Sequence, residues 1–306
     1  MVHLLQIFLC LFSFFTLVFF ILFLRQIIQL PGYKKVDSFP FFVASLLVIL
    51  LSTFWAIPVK NKDAWTAPIK HNDRCADLTG SSINFITYHN NSLFVASTNS
   101  TSGPSQIVSY SPDLSRQQKT FPFSGVVRCL TVGDHVYAAD QFAPRAIYNI
   151  DTNSTFATLA FEPQSIAVSH DLLYASGENI SYVAELRLDT AEESRFQTFG
   201  PGPLNTFSDP KGILFLNGLL YVCDRSSVYV FKNRQLVQTY GPILNPLYVA
   251  VWKKQLVITT RFFIFFYDLE STNYLGAIKQ IKAKRIAASH STLYIVDDAN
   301  SLCGYS

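Results

Sequence analysis

Three histidines recur at comparable places in the chain: His89 in Tyr88-His89-Asn90, His170 in Ser169-His170-Asp171 and His290 in Ser289-His290-Ser291. His135 stands close to the same point of a further segment. Imidazoles in that number suit a zinc ion. The matching place holds Asn217-Gly218 in one segment and Lys253-Lys254 in another. A position that accepts His, Asn-Gly or Lys-Lys reads as a solvated turn, and no metal is expected there. A second set is acidic: Asp140, Glu178, Asp224, Asp297 and Asp298 come just after short apolar runs. Gathered at one opening they would hold Ca2+ or bind a ligand. Taken singly, each short acidic side chain caps its own turn. Arg261 interrupts the set. Both readings stay open. The chain has no P-loop, HExxH, G-x-S-x-G or Cys-x-x-Cys motif. Catalytic groups need not be neighbours in sequence, so the missing motifs weaken the case for an enzyme without removing it.

These residues are placed by a repeat. A hydrophobic residue (Ile86, Cys129, Ile166, Ile213, Val249, Ile286) is followed seven positions later by Leu93, Val136, Leu173, Leu220, Leu256 or Leu293. The second members lie 43, 37, 47, 36 and 37 residues apart. A period near 40 with several short strands per unit is the pattern of propeller blades. Each unit opens on a strand such as Ser165-Ile166-Ala167-Val168, turns, and continues in a second such as Leu172-Leu173-Tyr174-Ala175-Ser176. Third strands include 107–110, 146–150 and 228–231. Fourth strands are expected at 196–200 and 236–241. By the same alignment Cys129 takes an isoleucine slot and Cys223 a small-residue slot, so both are expected to be buried and inert.

Leu219-Leu220-Tyr221-Val222-Cys223-Asp224 followed by Val228-Tyr229-Val230-Phe231 resembles the core of NHL-type six-bladed β-propellers. Val136-Tyr137-Ala138-Ala139-Asp140 and Leu293-Tyr294-Ile295-Val296-Asp297 are similar. Blades one and five depart, with Ser97 and Thr259-Thr260 where the acid is expected. The resemblance covers about 82–306 and implies a fold, since the class includes interaction domains, scaffolds and enzymes. The last repeat stops at Ser306 after its third strand, which would leave an outer edge unpaired. The segment from about Asn72 to Thr79 is the natural donor, and it sets Cys75 beside Cys303. Either the two are bonded or they remain thiols.

The first 60 residues hold two apolar runs, Leu4–Leu24 and Phe39–Val59, the second without a charge. Each suits a membrane helix, which needs about 20 residues. A cleaved signal peptide is the alternative for the first run, which lacks a basic leader and a small-x-small cleavage site. The expected organisation is therefore all-β: a six-bladed propeller at 72–306, preceded by two transmembrane helices (4–24 and 39–59, within a 1–59 anchor) and a stalk at 60–71. The net charge of +3 is too slight and scattered to suggest a nucleic-acid surface, and no nucleic-acid partner is expected. Expected partners are the membrane and other membrane or extracytosolic proteins. The function expected is a membrane-tethered interaction or ligand-binding module, of the kind that serves as a subunit of a membrane complex. The alternative is an enzyme resembling strictosidine-synthase-like or lactonase-type propellers on fold alone.

Orientation rests on other residues, because Arg25, Lys34 and Lys35 in the connection nearly balance Lys60, Lys62, Lys70 and Arg74 after it. Sequons at Asn90, Asn99, Asn153 and Asn179 all fall in expected turns. With the expected disulfide they favour a propeller on the non-cytosolic side of a secretory or cell-surface membrane. In a eukaryotic host, glycosidase treatment is then expected to shift gel mobility, with Asn-to-Gln changes removing the shift stepwise. An unshifted band, with the propeller open to protease in sealed right-side-out microsomes, would put the domain in the cytosol.

Overall fold

The computed structural model describes residues 71–76, 81–99, 103–142, 145–177, 179–197, 206–279 and 283–306. Both apolar runs, the stalk up to residue 70 and Glu178 lie outside the described residues. Among the described residues no helix is long and apolar enough to cross a membrane.

Six four-stranded antiparallel sheets form the blades of a β-propeller. The first strand among the described residues, β1 (His71–Ala76), belongs to the last blade. Blade one is β2 (Ser82–His89), β3 (Ser92–Thr98), β4 (Ser105–Tyr110) and β5 (Gln117–Phe123). Blade two is β6 (Val127–Val132), β7 (Val136–Asp140), β8 (Ala146–Asn149) and β9 (Ser154–Thr158). Blade three is β10 (Pro163–Val168), β11 (Leu172–Gly177), β12 (Val183–Arg187) and β13 (Glu193–Phe196). Blade four is β14 (Ile213–Leu216), β15 (Leu219–Asp224), β16 (Ser227–Lys232) and β17 (Gln235–Tyr240). Blade five is β18 (Tyr248–Trp252), β19 (Gln255–Thr259), β20 (Ile264–Asp268) and β21 (Tyr274–Ile278). Blade six is β22 (Ala283–Ala288), β23 (Leu293–Asp297), β24 (Leu302–Tyr305) and, returning to the start of the chain, β1.

Local chemistry explains the hairpins. The two-residue turn Asn90-Asn91 has φ of 43° and 61°, and Asn217-Gly218 has 51° and 76°. Such left-handed pairs match the twist of flanking strands, and Asn and Gly tolerate them best. The repeated leucine position of the second strands (Val in blade two) is between 0 and 4% exposed in all six blades. Complete burial of such a side chain contributes about 1.5–3 kcal/mol. The core lies mainly between blades, in clusters that join Trp252 to Ile286 across blades five and six, and Ile86 to Tyr294 across six and one.

Two sequence expectations need correction. The described fourth strand of blade three is Glu193–Phe196 and starts three residues before the expected 196–200, because a tight turn at 188–192 (Ala191 N to Arg187 O, 2.8 Å) starts the ladder at once; 198–200 lie outside the described residues. Cys129 does not hold an isoleucine slot. Four residues separate the paired positions Tyr88 and Leu93 in blade one, but only Gly133-Asp134-His135 separate Val132 and Val136 in blade two. The shorter turn slides the strand by one residue, so Leu130 pairs with Ala138 as Ile86 does with Val95, and Cys129 lines up with Phe85. It is nonetheless buried, and burial pushes its thiol up to about 12.

The ring closes as the missing strand requires. β1 pairs antiparallel with β24, with Cys75 opposite Cys303 and the two bonded. Cys129 and Cys223 are free and buried. The bond closes a loop of 228 residues, and cross-linking a loop that long removes unfolded-chain entropy equivalent to about 5 kcal/mol. Cys303→Ser should therefore lower unfolding stability by several kcal/mol in oxidised protein, measured by denaturant titration. A loss under about 1 kcal/mol would mean the β1–β24 ladder closes the ring unaided.

Candidate functional site

The six first strands line the central channel. Register sorts their side chains into layers. One layer contains Phe85, Cys129, Ser165, Gly212, Tyr248 and Arg285. Its three large members come from consecutive blades five, six and one, and its three small members from two, three and four. The large side chains fill the middle. The rings of Phe85 and Tyr248 meet edge to face at 6.2 Å. The Arg285 guanidinium lies 4.7 Å from the Tyr248 centroid and 5.6 Å from that of Phe85. Its Nε and Nη1 donate to the carbonyls of Asn84 and Lys284, each at 2.8 Å. Cation–ring contacts of this kind hold a charge without an acid beside it. Burial raises the pKa of the Tyr248 hydroxyl.

From that floor the channel opens toward the turns between first and second strands, as a cavity of about 800 Å3. Its walls are mostly apolar, including Ile86, Leu130, Ile166, Val168, Phe215 and Val249. Its rim carries His89, Asp134, His170, Lys253 and His290. The histidines are thus turn residues, as their variable slot implied, and they also share one rim. Among the described residues no group of three or more His, Cys, Asp or Glu is arranged to hold a metal. Burial lowers the pKa of His89, against the opposing pull of Asp134. Lys253 lies 4.4 Å over the Trp252 ring. His135 stands apart, 3.4 Å from Asp151.

The described acids Asp140, Asp224, Asp297 and Asp298 lie at or just beyond the opposite ends of the second strands, on the closed side of the floor, and are absent from the cavity lining. Their oxygens hold backbone. Asp140 accepts from Val126 N (3.1 Å) and Phe142 N (3.0 Å), and Asp297 from Ser301 N (2.8 Å). Asp224, 3% exposed, accepts from Ser208 N (3.1 Å) and Asp209 N (2.6 Å). Two of the three thereby tie the loop of one blade to the strand entering it. In blade five Thr260 does similar work, its Oγ1 accepting from Phe262 N and Phe263 N. Asp298 is exposed, and its carbonyl accepts from Lys284 Nζ (3.0 Å). Gly125 is required by this arrangement, since a Cβ there would stand 2.2 Å from an Asp140 oxygen.

The sequon asparagines are all exposed. Asn90, Asn153 and Asn179 have φ of 43°, 51° and 60°, so turn geometry alone already favours Asn at those places. Asn99 accepts a hydrogen bond from the Ser81 hydroxyl at 2.8 Å. The floor trio Phe85, Tyr248 and Arg285 escaped the sequence reading. Its signal is the contrast of large and small residues one place before the isoleucines, visible only once the short turn of blade two is allowed for.

No family model and no curated protein matches the chain. Among solved structures it is similar to the computationally designed Ika8 protein, with 8% identity and a TM-score of 0.48 over 77% of this chain and 99% of that one. It is also similar to a chain of the nidogen/laminin complex, with 15% identity and a TM-score of 0.50 over 64% of this chain and 82% of that one. The second likeness is one of fold. A β-propeller is consistent with a protein-interaction module.

Replacing Asp224 by Ala removes the acceptor of two partly buried amides and should cost about 3 kcal/mol in unfolding stability. A stable Asp224→Ala protein that had lost binding of Ca2+ would instead make this carboxylate a ligand.

Proposed function

We propose that the protein is a membrane-tethered β-propeller of the NHL-type repeat class, acting as a ligand-binding and interaction module on the non-cytosolic side. The tether rests on the two apolar runs. The compartment rests on the Cys75–Cys303 bond, which persists where thiols are not kept reduced. The binding role rests on one observation: the central channel is floored by Phe85, Tyr248 and Arg285 and open at the other end. Its volume of about 800 Å3 falls within the range of small-molecule sites. Apolar walls below a polar rim favour a ligand with an apolar body and one polar end.

A neutral solvatochromic dye such as Nile red reports on the cup directly. Ala288 lines it at the edge of the cluster shared by blades five and six and is only half-buried, so a larger side chain there takes up cavity space. Ala288→Trp should abolish dye binding in a protein that still unfolds cooperatively. Leu244, 86% exposed in the connection between blades four and five, lies on the closed side, and Leu244→Ser should leave binding intact. Binding that survives Ala288→Trp and vanishes with Leu244→Ser would overturn the proposal.

A further inference from the structure

A slot of about 400 Å3 opens between blades three and four and shares Ser169, His170 and Phe215 with the cup, so the two adjoin at those residues. Its wall contains a departure from the repeat. The residue paired with the aromatic position of the second strand is Ser109, Asn149, Val230, Phe266 and Gly304 in five blades, and Glu185 in blade three. Glu185 is 3% exposed. A carboxylate that deep persists only when paired and hydrogen-bonded. Its partner comes from the neighbouring blade. Arg234 Nε donates to Oε1 at 3.2 Å, and Nη2 donates to Oε2. Ser194 Oγ donates to Oε2 at 3.2 Å and accepts from Nη2 at 3.1 Å.

The pairing decides what a ligand meets. Both oxygens of Glu185 are occupied and shielded from solvent. Arg234 is 56% exposed and has five N–H donors, of which these contacts use three on Nε and Nη2. The two on Nη1 remain, on a guanidinium held in place from behind. Beside it lie His170 and the stacked pair Tyr174–Phe215, with centroids 5.8 Å apart. Asp171, the other acid of the slot, is exposed to water.

We propose that the slot is an anion subsite, in which Arg234 receives the carboxylate of an apolar acid whose body lies along Phe215 in the cup. Glu185 acts as a positioning residue. This rests on the cup being a ligand site, and the test separates the two.

The probes are octanoate, octanol and octylamine, titrated against the full chain in detergent or nanodiscs by displacement of Nile red. Octanoate should bind about tenfold more tightly than octanol, the worth of one charge-assisted hydrogen bond, and octylamine more weakly than either. Arg234→Met alone strands a buried charge, so the informative variant is Glu185→Gln with Arg234→Met. It should fold, keep the octanol affinity and lose the preference for octanoate. A preference that survives the double variant, or one for octylamine, overturns the assignment. Equal affinity for octanoate and octanol, both abolished by Ala288→Trp, overturns the anion subsite and leaves the cup standing. If no probe binds, the cup reading fails and takes this inference with it.

Discussion

The pairing of β1 with β24 is the constraint on which the rest depends. A propeller has no hydrophobic interior of its own apart from the faces that neighbouring blades press together. Without its outer strand blade six would leave an open ladder edge on β24, whose Leu302 and Tyr305, no more than 6% exposed, belong to the clusters that blade six shares with blades one and five. The seam between blades six and one holds a stack of Tyr88 on Tyr294 at 5.9 Å and a hydrogen bond from Tyr294 to the Pro112 carbonyl at 2.6 Å. The disulfide makes the closure covalent. Hydrogen bonds give the ladder its register, and the bond makes separation of the strands entropically unrewarding for the unfolded chain.

Closure also fixes the cup. Six first strands held at one radius leave a channel, and whether it is a tube or a vessel depends on a single layer of side chains. Phe85, Tyr248 and Arg285 occupy the middle because Cys129, Ser165 and Gly212 face them with little bulk. Gly212 goes further, since a Cβ there would stand 2.1 Å from the Leu247 carbonyl oxygen. An arginine in such a place requires compensation. It comes from two ring faces and two backbone carbonyls, so the floor stays closed without a buried acid.

Much of the fold was legible in the sequence because it is carried by repetition. Leucine or valine at one position of every second strand, with an aromatic beside it in five of the six, is a local signal that recurs around the ring. The closing strand was legible from a deficit, since a last blade with three strands demands a fourth. What escaped is what breaks the repeat. The shortened turn of blade two shifted Cys129 by one residue and hid the floor. Glu185 resembles any strand residue until Arg234, from another blade, is set against it. The acids were recognised, but a one-dimensional reading cannot distinguish a carboxylate facing a channel from one spent on backbone amides, as at Asp224. The histidines show the converse: a correct assignment to turns gave no sign that the turns share one rim.

The central claim is that an apolar ligand enters the ring from the rim side and stops at the Phe85–Tyr248–Arg285 layer. Isoleucine methyl spectra during titration with a neutral apolar ligand test it most directly. Ile86, Ile166, Ile213 and Ile286 line the cup, whereas Ile243 lies on the closed side. The account predicts shifts for the first four and none for Ile243. Shifts at Ile243 with the four unchanged would contradict it.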